Sequence, residues 1–235
     1  MPGIIDQAAA ILSSSEKRLE AAALNLSNMG TPGFKRQIAF STALEQCRAD
    51  GCGENVELRH DFAQGRLSET GAPLDLAIFG PALFQLRDGE ALVYSRGGSF
   101  TRGEGGTIAD VAGRVLQQAG GGDLTVSGER IDILEDGTVL EDGLPAGRIA
   151  LMEAARPGAL IAAGGANFTA SDGAMEEAQG STVRQGFRES SNVVASDEMV
   201  AIMASSRQAE GGARLAQFYD RLMGQAITTF SRAGR

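Results

Sequence analysis

The sequence predicts an α+β protein: a long helix at each end, the two packed as a coiled-coil-like pair, with a β-rich domain between them. Three observations carry this. Apolar residues recur at alternating three- and four-residue steps from Ala8 to Met29 and again from Met199 to Phe230. Short runs of period-two alternation fill the middle. The 32 glycines fall mostly between Gly51 and Gly186, where tight turns require them.

The first helix is expected from Ile4 to Met29, a stretch without proline or internal glycine. Ala8, Leu12, Ser15, Leu19, Ala22, Leu26 and Met29 form its seam, with Ser15 the one polar member. Glu16, Lys17, Arg18 and Glu20 form the solvated side. Gly30, as a left-handed cap, and Pro32 are the expected stop. Residues 35–73 read as an extended or looped connection following an assembly segment at 1–34.

Residues 74–186 read as the β domain. Leu74–Ile78, Ala82–Leu86, Arg148–Met152 and Ala159–Ala162 are expected strands. Ile131–Leu134 and Thr138–Leu140 flank Glu135-Asp136-Gly137, a hairpin signal. Short strands with glycine-rich turns suit a compact β domain better than βαβ units.

The last segment, 187–235, carries the second helix, with Ser196 as N-cap and Asp197 and Glu198 facing the positive end of the helix dipole. Met199, Ile202, Ser206, Ala209, Ala213, Ala216, Asp220, Met223, Ile227 and Phe230 make its seam, and Gly211-Gly212 marks an expected bend. Such a helix is about 50 Å long. Alanine-rich seams bury little area per contact, so each helix calls for several partners, within the chain and on neighbouring chains.

Composition excludes some roles. A net charge of −9 argues against a nucleic-acid partner. No run approaches the roughly 20 apolar residues of a membrane span. The start, Met1-Pro2-Gly3-Ile4-Ile5-Asp6, has neither the basic nor the apolar region of a secretory signal. Cys47 and Cys52 flank a turn-like stretch and admit either a local bridge or two thiols.

Catalytic, cofactor and metal sites are not expected. His60 is the single histidine, and no G-x-S-x-G run exists. Ser14-Ser15-Glu16-Lys17 matches S-x-x-K without the partner motifs of that enzyme class. Cys47, Cys52 and His60, with Glu57 or Asp61, are a weak metal pattern. Gly103-Glu104-Gly105-Gly106 lacks the lysine of a phosphate loop and reads as a hairpin turn. The sequons at Asn25 and Asn167 are discounted, since the first lies within a helix. Two rival classes remain at this level: a binding module whose helices form a stalk, and an enzyme centred on His60.

Specific motifs go further than class. Leu24-Asn25-Leu26-Ser27-Asn28-Met29-Gly30-Thr31-Pro32-Gly33-Phe34-Lys35 resembles the "A-N-N-L-A-N-x-x-T-x-G-F-K" signature of bacterial flagellar rod and hook proteins. Gln185-Gly186-Phe187-Arg188-Glu189-Ser190-Ser191-Asn192-Val193 resembles that family's "Q-G-x-L-E-x-S-N-V". Leu74–Gly80 is similar to its "L-D-V-A-I-x-G", and Tyr94–Phe100 to its "Y-T-R-x-G-S-F". The runs span nearly the whole chain in the family's order; Gly80-Pro81-Ala82-Leu83-Phe84 departs from its "G-x-G-F-F".

The resemblance implies a structural subunit of the flagellar basal-body rod in the periplasm, with a length nearer the proximal than the distal rod proteins. It implies export by the flagellar type III apparatus without a cleaved signal, and assembly with further copies and other rod proteins. It adds Asn28, Gly33, Phe34, Ser191, Asn192 and Val193 to the seam residues as an expected assembly interface, with Gly30 to Phe34 turning the chain toward the β domain.

Overall fold

The computed structural model describes residues 4–41, 56–156, 158–171 and 173–233. Cys47 and Cys52 lie outside the described residues. The chain divides into two compact units: Met1–Ser27, Gln37–Asp61 and Val194–Arg235 in one, Asn28–Arg36 and Phe62–Val193 in the other. The expected connection at 35–73 is thus shared between both, and it carries strands.

The helical unit holds α1 (Ile4–Ser27), an antiparallel hairpin of Gln37–Ser41 with Val56–His60, and α2 (Ala195–Ala233). The hydroxyls of Ser14 and Ser15 both donate to the Ile11 carbonyl, at 3.1 and 2.7 Å. Lys17 donates to the Val56 carbonyl at 3.2 Å. The S-x-x-K pair is therefore structural. Asn25 is buried, which removes its sequon from consideration.

Three expectations for the helices change. Gly30 is not the left-handed residue; that conformation falls on Gly33, at φ +71°. Ser196 is not the N-cap, because α2 starts at Ala195 and the Val194 carbonyl accepts from the amides of Asp197 and Glu198. Gly211-Gly212 does not interrupt α2. A Cβ on Gly212 would lie 3.1 Å from Ile11 Cγ2 and 3.3 Å from Leu12 Cγ, so this glycine lets α1 and α2 approach closely.

In the β-rich unit, the largest sheet runs in the order Leu160–Gly164, Asn167–Ala170, Ala91–Ser95, Leu83–Asp88, Val115–Leu116, Ile108–Asp110, Phe100–Arg102. Leu151–Ala154 and Met175–Glu177 attach beside it, and every strand pair is antiparallel. Alternating residues of these strands, among them Phe84, Leu86, Ile108 and Leu116, form the core with Leu124, Val126, Val139 and Ile149. Phe84 meets Phe100 edge to face, with ring centres 5.3 Å apart. On the same sheet's second cluster, Leu83, Tyr94 and Phe168 pack together.

The expected hairpin at Glu135-Asp136-Gly137 joins Ile131–Ile133 to Thr138–Glu141. Its turn is held by Asp136, whose carboxylate accepts from the amide and hydroxyl of Thr138, each at 2.9 Å. Those two bonds keep the Asp136 carboxyl below its usual pKa. The expected strand Arg148–Met152 is in fact two. Ile149 and Ala150 donate to Gly137 and Gln117, which splits Leu144–Arg148 from Leu151–Ala154 and sends them to different sheets.

Candidate assembly site

Glu189 ends the strand Phe187–Glu189, which pairs with Leu67–Glu69. Its carboxylate is buried within the β-rich unit and fully engaged. Oε1 accepts from Lys35 Nζ at 2.8 Å and from the Gly65 amide at 2.7 Å, while Oε2 accepts from Arg96 Nε at 2.6 Å. The side chains of Lys35, Arg96 and Glu189 are 1%, 3% and 1% exposed. Two cations thus share one anion away from solvent. Backbone carbonyls accept from further N–H groups: Ala63 from Lys35 at 2.8 Å, and Ala82 and Ile78 from Arg96.

These residues come from three runs far apart in sequence: Gly33-Phe34-Lys35, Tyr94-Ser95-Arg96 and Glu189–Val193. Gly33 fits because it has no Cβ; one placed there would stand 2.4 Å from the Arg96 carbonyl carbon, and the Gly33 amide donates to the Glu189 carbonyl at 2.8 Å. Asn192 acts as a short length of strand. Its Oδ1 accepts from the Arg36 amide at 2.7 Å and its Nδ2 donates to the Ala63 carbonyl at 3.1 Å. Asn192→Ala is therefore expected to destabilise the chain by about 1–2 kcal/mol, read as a lowered urea midpoint.

Gly33 and Phe34 are buried inside this unit, and Ser191, Asn192 and Val193 are half-buried in it. Within it they fasten the unit's entry and exit segments to each other. A motif by itself carries no sign of whether its partner is the same chain or another.

In the helical unit, Ala8, Ser15 and Ala22 of α1 are buried at seven-residue spacing, as are Glu198, Ser205 and Gly212 of α2. Leu12, Leu19 and Leu26 are half-buried, as are Ile202, Ala209, Ala213 and Ala216. Met29, Met199, Ser206 and Met223, expected on the seams, are exposed instead. The inward line of α2 runs through Glu198 and Ser205, each one position before the expected Met199 and Ser206. Polar residues carry it, which an apolar periodicity does not detect. Ile227 and Phe230 lie on the α2 backbone, and their side chains fall outside the described set.

One polar cluster ties this unit together. Asn25 Nδ2 donates to the Gln37 carbonyl at 2.8 Å and to Glu198 Oε2 at 3.1 Å, and Asn25 Oδ1 accepts from the Gln37 amide at 2.7 Å. Asn28, half-buried in the other unit, accepts from the Thr31 amide and hydroxyl at 3.0 and 3.2 Å and shapes the turn after α1.

His60 lies in a strand opposite Gln37. Among the described residues, no three His, Cys, Asp or Glu side chains are grouped to hold a metal ion, and no helix is long and apolar enough to cross a membrane.

No protein-family profile matches the chain. Curated sequences do. It is 27% identical to the flagellar basal-body rod protein FlgF of Caulobacter vibrioides, over 85% of this chain and 86% of that one. It is 28% identical to FlgF of Rhizobium meliloti, over 91% and 92% of the two chains. It is 29% identical to the rod protein FlgG of Caulobacter vibrioides, over 92% and 95%.

Proposed function

We propose that the chain is a member of the flagellar basal-body rod protein family, with α1 and α2 forming its coiled-coil-like assembly core. It is a structural subunit of the rod. We read it as a FlgF-like, proximal subunit without catalytic activity. It packs helically against further copies and other rod proteins, and reaches the periplasm through the flagellar export apparatus. The likeness to FlgG across 92% of the chain favours a distal-rod role as the second reading.

One observation carries the assembly reading. Gly212 packs beside Ala8, one turn from the start of α1, yet α2 continues to Ala233. On that overhang Phe218, Leu222 and Met223 are each at least 46% exposed, and earlier in α2 Met199, Val200 and Met203 are also exposed. An apolar helix of this kind needs neighbours. Contacts repeated head to tail from one subunit to the next build an open helical shaft when the rotation between subunits does not close into a ring.

Phe218→Asp combined with Leu222→Asp tests this. The variant is expected to keep its circular dichroism spectrum, because both side chains are exposed, and to fail to restore swimming in cells lacking the native gene. Normal swimming with this variant would overturn the assignment of α2 as an assembly surface.

A further inference from the structure

We infer that Glu198, through Asn25, is the register lock of the α1–α2 pair: the contact that selects one axial alignment of two helices whose seams otherwise allow several. The inference rests on the proposed helix pairing and goes beyond it. Ala8, Ser15 and Ala22 on α1, and Ser205 and Gly212 on α2, are small and recur every seven residues. Sliding one helix by seven residues sets small residues against small residues again. Shape therefore distinguishes the alignments mainly at the close approach of Gly212 to Ile11 and Leu12, where a small shift of two side chains could admit a serine.

The polar pair does distinguish them. Asn25 is already fixed by both hydrogen bonds to the Gln37 backbone, which leaves its second N–H aimed at Glu198 Oε2. Glu198 is 2% exposed and Asn25 is 1% exposed. In an alignment slipped by one heptad, Glu198 loses this donor. The buried Asn25 N–H also loses its acceptor, and the loss of this buried hydrogen bond disfavours that alignment. A single buried polar contact is known to fix register in coiled coils in this way. The alignment also decides how much of α2 extends past α1, and hence which surface a neighbouring subunit meets.

The test uses the full chain with Cys47→Ser and Cys52→Ser, spin labels at the exposed positions Ser13 and Ser206, and pulsed electron resonance on samples diluted with unlabelled protein. A seven-residue slip moves the labels by about 10 Å along the helix axis. The parent and Glu198→Gln, which keeps an acceptor oxygen, are expected to give one distance. Glu198→Leu is expected to add a second distance in about a tenth or more of the molecules. Glu198→Ala, which adds no volume, should do the same and covers the case in which leucine does not fit. One unchanged distance in both variants would overturn the lock. No defined distance in the parent would instead overturn the helix pairing itself.

Discussion

Glu189→Ala is expected to lower the stability of the β-rich unit by about 3–5 kcal/mol, the range for breaking a buried ion pair from one side. The carboxylate contacts both Lys35 and Arg96 in the buried cluster, and it also accepts from the Gly65 amide. Without it, two cations remain buried side by side and a backbone donor loses its partner. Removing a cation is a different matter. Lys35→Met leaves Arg96 and Glu189 as a balanced pair, and the Ala63 carbonyl keeps its bond from Asn192. That variant is expected to lose about 1–2 kcal/mol. Urea unfolding of the two proteins checks the order. A Lys35→Met variant less stable than Glu189→Ala would mean that the ammonium, not the carboxylate, organises the cluster.

The cluster also explains how much of this molecule could be read from its sequence. The α+β class and the two end helices were legible because burying one face of a helix imposes a repeat. The hairpin at Asp136-Gly137 was legible because its turn chemistry is local. The strands at Phe100–Arg102, Ile108–Asp110 and Phe187–Glu189 were not. Each is three residues long, too short to show a period, and each exists only because a distant strand pairs with it. Lys35, Arg96 and Glu189 stood within recognisable motifs, but the sequence does not say that a lysine at 35 meets a glutamate at 189. The inward line of α2 was missed for a related reason. Glu198, Ser205 and Gly212 are polar or small, and a search for apolar spacing slides to Met199 and Ser206 beside them.

The two glycines of the turn after α1 give the sharpest contrast between what spacing suggests and what packing enforces. Helix-stop rules assign the special conformation to Gly30, whereas Gly33 holds φ +71°. Gly33→Ala is expected to lose about 3 kcal/mol. The left-handed backbone contributes about 1–2 kcal/mol of that. The remainder comes from a methyl group 2.4 Å from the Arg96 carbonyl carbon and 2.5 Å from the Gly97 nitrogen, atoms of main chain that cannot rotate away. Relief requires the Arg96 backbone to move, which pulls its guanidinium from Glu189 and weakens the ionic cluster with it. Gly30→Ala meets no atom within 4 Å and has no positive φ, so it should be neutral or should stabilise by about 0.5 kcal/mol through the unfolded state. Thermal and urea midpoints of the two alanine variants decide the matter. Equal losses at both positions would mean that the turn responds to loss of glycine flexibility in general and not to the close approach of Gly33 to Arg96.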